Sequence, residues 1–424
     1  MRRPCPIFTL SLLLILVPQA VYSQWTLTNC PSRGIVYCFT VVSNQAGGSN
    51  IFAGTSAGGI FLSTDEGRTW TAVNTGLTNT FVRCFAASGN YLFAGTYGGG
   101  IFLSTDNGTN WTEVGAGVQY KNILSLALGR NAMGGTNLFA GCGGGGVFLS
   151  IDNGTTWKDV SIPATGTTVN SLATNGANLF AGTFVGAFLS SDNGSKWTAV
   201  NNGLKSWNST TEVRCLAVTG GHLFAGTSGW GVFHSSDDGA TWTAVNSGIP
   251  AMESTNYIWT LNAQGAEIFA GTNRGVFLST NYGSSWSAAN TGLIDTSVYA
   301  IAISGSTLLA GTSKGTIWTR SLSEIITSDL CTGHEIPTSF RLNQNYPNPF
   351  NPSTMISFDL PSRSIVSLDV LDLLGRTVAV LVSGDLPAGT HTQQWNAVRV
   401  PAGVYLFRLH AGSFIDTKKS ILVK

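Results

Sequence analysis

The residues that could do chemistry are few and regularly placed. One phrase, Ser-x-Asp-x-Gly-x-x-Trp, begins at Ser63, Ser104, Ser150, Ser190, Ser235 and Ser279, with Asn281 replacing Asp in the last. It sets carboxylates at Asp65, Asp106, Asp152, Asp192 and Asp237. An Asp repeated beside a Gly is turn chemistry before it is acid–base chemistry. The carboxylate accepts backbone N–H groups across the turn, and Gly supplies a positive φ. The Trp offers a large face for packing. Outside the phrase, Glu212, Glu253 and Asp295 fall in loops between outer and inner strands. Glycoside hydrolysis needs two facing carboxylates, and three scattered acids in polar loops read as solvated side chains. His222 and His234 lack metal-ligand spacing. No catalytic, metal-binding or cofactor-binding residue is expected, and an enzyme is the lesser reading.

The cysteines are the other reactive candidates. Cys38, Cys84 and Cys215 read as one buried strand position, filled elsewhere by Leu126, Leu172, Leu261 and Ile301. A free Cys there behaves as a small hydrophobe. Cys142 stands where most units have Thr. Cys30 and Cys331 lie off the pattern at the two ends of the array, where ring closure would bring them nearer; a disulfide between them is left open.

What positions these residues is an internal repeat of 40–46 residues. Phe-Ala-Gly recurs at 52–54, 93–95, 139–141, 180–182, 224–226 and 269–271, and Leu309-Ala310-Gly311 is a seventh copy. Each unit reads as four short strands, typified by 213–218, 222–227, 232–235 and a strand opening at Trp242. Four antiparallel strands per unit make a propeller blade, and stacked blades bury what one blade cannot. The seventh unit ends near Ile317-Trp318-Thr319 without an outer strand, whereas Trp25-Thr26-Leu27-Thr28-Asn29 matches one. The N-terminus is therefore expected to complete the last blade and remove the exposed edge. The fold class is all-β: a seven-bladed β-propeller followed by a small Ig-like β-sandwich.

The repeated phrase resembles the Asp-box, or BNR repeat, of sialidase-like propellers over roughly residues 25–320. The resemblance implies that the boxes lie on the face opposite the ligand site, so the five box aspartates are structural. Sialidases of that family need three arginines on one carboxylate, a Tyr with a Glu, and an acid Asp; no Arg-Ile-Pro signature occurs here. Single propellers of such units are also similar to the photosystem II assembly-factor family, which implies a non-catalytic scaffold. Asn107, Asn110, Asn153, Asn193 and Asn208 form sequons, three of them inside box turns, where Asn is good turn chemistry.

The two ends of the chain speak to export. Arg2 and Arg3, the apolar run from Phe8 to Val17 and Val21-Tyr22-Ser23 read as a secretory signal peptide. No later segment is long and apolar enough to cross a membrane. Charged residues are only 10% and the formal net charge is +1, which excludes a field that would steer nucleic acid. Near the C-terminus stand Asn345-Tyr346-Pro347-Asn348-Pro349-Phe350, Gly375-Arg376, Gly403 within Pro-Ala-Gly-Val-Tyr, and Lys418-Lys419 in the last strand. These resemble the type A sorting domain of the type IX secretion system. The resemblance implies contact with that machinery and delivery outside the cell. The boundaries read as a signal peptide over 1–23, a propeller over 24–320, a linker over 321–339 and a sorting domain over 340–424.

A partner would meet the loops between second and third strands and between blades, which share the rim opposite the boxes. Those loops present Tyr97, Tyr120, Phe184, Trp207, Trp230 and Tyr257, with Arg274 and Lys314 adding charge. Exposed aromatics give stiff contact area for sugars or proteins. A single patch over blades four to six, centred on Trp207 and Trp230, is the expectation; packing of those two against neighbouring loops is the alternative. The function expected is that of a secreted or surface binding module for an unknown glycan or protein; the alternative is a secreted glycoside hydrolase or lyase.

Overall fold

The structure is a computed structural model that describes residues 24–423 other than 33, 45–46, 131–135, 164–166, 205–210, 251–256, 326–338, 346–347, 387–388 and 399. The proposed signal peptide, Trp207, Asn208, Glu253, Cys331, Tyr346 and Pro347 lie outside the described residues.

Seven four-stranded antiparallel sheets follow one another. Blades one to six occupy 36–72, 82–113, 123–159, 169–199, 213–244 and 258–288. Blade seven joins 298–321 to Thr26–Leu27, whose residues pair with Thr319 and Trp318. The N-terminal segment thus supplies the missing outer strand. Trp25 is 4% exposed, packs with Trp318 and Leu293, and donates its Nε1–H to the Ala289 carbonyl at 2.5 Å. Outer strands are only two residues long, Thr243–Ala244 for example, shorter than the Trp-Thr-x-Val-Asn phrase suggests. Asn74 explains the rest of that phrase. Its side chain accepts from Ile60 N at 2.7 Å and donates to Gly58 O at 3.0 Å, clamping the second-to-third loop.

Two residue types set how closely blades approach. The Gly of each Phe-Ala-Gly faces the first residue of the next inner strand. A Cβ on Gly226 would lie 2.4 Å from Cys215 Sγ and 2.6 Å from Ile258, and one on Gly311 would lie 2.5 Å from Val36, across the closing seam. Only Gly permits that approach. Five of the six box tryptophans reach back one blade: Trp111 donates to Val73 O, Trp157 to Val114 O, Trp197 to Val160 O, Trp242 to Val200 O and Trp286 to Val245 O, at 2.7–2.9 Å, whereas Trp70 donates to Gly67 O in its own turn. The box Trp is therefore an inter-blade tie as well as a packing face.

Residues 341–422 form two further sheets. One orders Arg341–Leu342, Ser353–Leu360 and Gly389–Asn396; the other orders Thr377–Leu386, Ser364–Leu371, Gly403–Ala411 and Phe414–Leu422. Ile356, Phe358 and Leu360 from the first meet Val366, Leu368 and Val370 from the second in one core around Trp395. That alternation is the period of two expected of half-buried strands. Among the described residues no helix is long and apolar enough to cross a membrane.

Candidate functional site

In every blade the inner strand carries a register shift at its second residue. A β-bulge adds one residue and re-aims its side chain. The seven bulged residues are Tyr37, Arg83, Leu124, Asn170, Arg214, Trp259 and Tyr299, and all seven line one cavity of about 370 Å3. They sit where the inner strands begin, on the same side as the second-to-third loops and opposite the boxes. The bulge also corrects the sequence register. Cys38, Cys84 and Cys215 stand opposite the Phe-Ala-Gly glycines, and the equivalent residues are Ser125, Ser171, Thr260 and Ala300 rather than Leu126, Leu172, Leu261 and Ile301. The position selects for smallness, because the glycine and the next blade leave little room. Burial pushes the Cys84 and Cys215 thiols up to about 12, so neither is a thiolate at neutral pH.

The mouth is chemically lopsided. Rings run in contact from Tyr257 to Trp259 (5.0 Å between centroids), Tyr299 (4.3 Å), Tyr37 (5.7 Å), Phe81 (5.4 Å) and Tyr97 (5.2 Å). Arginines stack on this arc at two places, its Tyr257–Trp259 end and Tyr37. The Arg214 guanidinium lies 4.6 Å from the Trp259 ring centroid and 4.8 Å from that of Tyr257, and that of Arg83 lies 4.0 Å from Tyr37. Arg214 is neutralised by Glu212 at 3.1 Å, and its Nε donates to Ser228 Oγ. Burial raises the Tyr299 phenol, against which Arg214 and Arg83 both pull. Beyond the arc, Ser125 and Ser171 accept Leu172 N at 2.8 Å and Leu216 N at 3.0 Å from the next blade.

The rim residues named from sequence are only partly gathered here. Tyr257 joins the arc through Trp259 and Arg214, and Tyr97 joins through Phe81. Phe184 stands free of the core at 59% exposed, and Tyr120 is exposed near Phe148. Trp230 packs against the core shared by Phe180, Leu216 and Trp242, and its carbonyl accepts Asn246 Nδ2. Arg274 and Lys314 are exposed, and the Lys314 amide donates to Asp295. Of the non-box acids, Glu212 is ion-paired and Asp295 is buried, accepting from Ser297 N and Lys314 N. Sequence reasoning missed Tyr37, Arg83, Arg214, Trp259 and Tyr299. Their signal was a repeat position whose chemistry ranges over Tyr, Arg, Leu, Asn and Trp from unit to unit.

The opposite face is built of turns. In the first box Ser63 Oγ donates to Asp65 Oδ1 at 2.8 Å and accepts Gly67 N, while Asp65 accepts Thr69 N and Thr69 Oγ1. Asp106, Asp152, Asp192 and Asp237 repeat the arrangement. Asn107, Asn153 and Asn193 take positive φ of 55–57° in these turns, a conformation Asn tolerates well. A shallow depression of about 780 Å3 on this face is lined by Ser88, Asn90, Tyr91, Thr105, Ile151 and Asn153 among others, with no charged group. His222 Nδ1 and His234 Nε2 share a hydrogen bond of 2.8 Å there.

In the sandwich the motif residues pin the last strand. Asn345 donates to Thr354 Oγ1 and Ser420 Oγ at 2.9 Å. Asn348 accepts Ile421 N and donates to Lys419 O, and Phe350 brackets Leu422 by two backbone bonds. Pro349 joins Asn348 to buried Phe350 through a cis peptide. Arg376 pairs with Asp372 across the turn made by Gly375, and Gly403 opens the neighbouring strand. Lys418 pairs with Asp416, and Lys419 is exposed.

Residues 344–424 match the family described as the secretion system C-terminal sorting domain. The chain is therefore sorted to the cell surface or the extracellular space. No curated protein matches the chain. Solved structures similar in fold include the extracellular domain of BT4673 from B. thetaiotaomicron, at 18% identity and TM-score 0.55, covering 80% of this chain and 46% of that one. YCF48 bound to D1 peptide matches at 15% identity and TM-score 0.55, covering 72% of this chain and 99% of that one. The GH74 xyloglucanase from Xanthomonas campestris matches at 16% and 0.55, covering 80% and 60%. The chain spans less than half of the BT4673 domain and under two thirds of the xyloglucanase. At these identities the likeness is one of fold: a β-propeller.

Proposed function

We propose that this chain is an exported, non-catalytic binding protein that takes an extracellular glycan or protein on the loop rim, with the channel mouth at its centre. The observation that supports this most is the convergence of one bulged side chain from each blade on a single cavity ringed by aromatics. Concave sites with aromatic walls and a few polar groups are the usual form of ligand pockets. Against hydrolysis stands the state of the acids: Glu212 is spent on Arg214, and Asp295 on two backbone amides. A glycosidase needs a pair of carboxylates free to face each other. The xyloglucanase keeps a secreted glycoside hydrolase as the alternative.

The test is a glycan array and a hydrolase substrate panel, both run on residues 24–424. Binding without product release is expected. Phe184→Ala combined with Tyr97→Ala should weaken binding about a hundredfold, since exposed aromatic anchors carry roughly 1–2 kcal/mol each. Melting temperature should hardly change. Trp230→Ala should instead destabilise the fifth blade. Release of shortened oligosaccharide would make the protein an enzyme and end the proposal.

A further inference from the structure

We infer that the channel mouth is a site for an acidic glycan, a sugar carrying one negative charge that pairs with Arg83. This rests on the binding reading above and names the ligand class. The two arginines of the ring are not equivalent. Glu212 balances Arg214, whereas Arg83 has no ion pair among the described residues. Arg83 Nε and Trp259 Nε1 are both buried without a hydrogen-bond partner, and both residues line the same cavity. Two orphaned donors in one cavity call for an acceptor, because a buried donor left unpaired costs more than a bond gains. No Asp or Glu lines the cavity, so its lining carries an excess of positive charge. The stack on Tyr37 fixes the plane of the Arg83 guanidinium without consuming its N–H groups. A guanidinium so held suits a planar or tetrahedral oxyanion through charge-assisted bonds.

The remaining lining selects the body attached to that anion. Ser125 and Ser171 already accept backbone amides, so their hydroxyl protons are left to donate. Asn170 spends its amide N–H on Val213 O, leaving its side-chain carbonyl to accept. Interleaved donors and acceptors match a polyhydroxylated ring; an aliphatic body would leave them unpaired. A cavity of about 370 Å3 is at the small end of ligand sites, enough for the end of a glycan chain. One unmatched cation points to one negative charge per sugar. A carboxylate (uronate) and a sulfate ester both satisfy that chemistry.

The deciding measurement is calorimetric titration of residues 24–424 with uronate and sulfate-ester oligosaccharides of the gluco, galacto and manno series, each beside its neutral counterpart. At least one charged probe should bind ten times more tightly than its neutral partner, and which series wins identifies the anion. Arg83→Gln should abolish that preference, Arg83→Lys should keep part of it, and Trp259→Phe, which keeps the ring but removes the N–H, should cost about fivefold. Should Arg83→Gln fail to fold, Trp259→Phe decides alone. Equal binding of charged and neutral probes, no binding of any charged probe, or a preference untouched in the folded variants overturns the inference. So does preferential capture of a carboxylate-terminated peptide. Glycan binding by the native chain without any preference for charged probes would leave the binding function standing while this site falls; product release would do the reverse.

Discussion

His222 and His234 show how a pair of side chains can carry pH dependence without taking part in a site. Their rings are 5.0 Å apart, with Tyr282 against His222 at 4.4 Å and Phe224 against His234 at 4.8 Å. A single N···N bond of 2.8 Å needs one donor and one acceptor, so the pair is stable when both rings are neutral. Burial first, and then His222, hold His234 down to about 4, against a smaller upward pull from Asp237. The folded pKa lies below the ordinary imidazole value of 6.5, so the stabilisation is complete above about pH 6.5. It is lost as the pH falls from there through 4. The expected loss is on the order of 1 kcal/mol once solvent screening of a partly exposed ring is allowed for. Thermal melts between pH 7.5 and 4.5 should fall more steeply for the native chain than for His222→Gln with His234→Gln; parallel curves would show that the pair contributes nothing. Nothing in the sequence put these histidines together, since twelve positions separate them. Only the pairing of Phe224 with His234 across adjacent strands brings the rings into reach.

At the scale of strands, much was legible and one feature was not. The strands of blade five fall where the repeat puts them, His222–Thr227 and Val232–Ser235, because alternation and the turn residues fix both their length and their ends. Closure by the N-terminus was legible too, because Trp25-Thr26 copies an outer strand. The bulge at each inner strand was hidden. A one-residue register shift leaves the alternation looking continuous, and it moved the cysteine position by one. The ring proposed as the binding site was hidden with it, since Arg83 and Trp259 look like ordinary variable strand residues until the bulge turns them inward. The closing strand gives the element-scale prediction. Trp25→Ala empties a site shared with Trp318 and Leu293 and removes the bond to Ala289. A buried Trp truncated to Ala costs about 3–5 kcal/mol. Deleting residues 24–30 should cost at least as much, because it also leaves Ile317–Ser321 as an open edge. Unchanged calorimetric melting in either variant would mean that the seventh blade does not depend on its seam.

Over the whole molecule, the chain divides its labour between a ring that is complete in itself and a sandwich that addresses it. All seven sheets of the ring draw their strands from 26–321. Its cores, from Trp25 with Trp318 around to Val36 with Ile317, use no residue of the sandwich. The sandwich likewise owns its core, built on Phe350, Trp395 and Phe407. The sorting phrase was easy to read as a phrase, but its mechanics were not. Asn345, Asn348 and Phe350 all reach the last strand, some seventy residues on, and so hold in place the strand that carries Lys418 and Lys419. Removing residues 340–424 should therefore leave a propeller with the melting temperature of the full chain, since no blade loses a strand. In a host with the type IX machinery that propeller should stay in the periplasm while the full chain reaches the surface or the medium. Fractionation together with protease accessibility reads the outcome, and a folded, periplasmic product separates a lost address from a lost fold. Asn345→Ala is the finer probe. It removes two buried hydrogen bonds to Thr354 and Ser420 without touching either lysine, so reduced export would trace recognition to the placement of the last strand. Surface delivery of the truncated propeller at the full chain's level would show that residues 340–424 are not what sorts it.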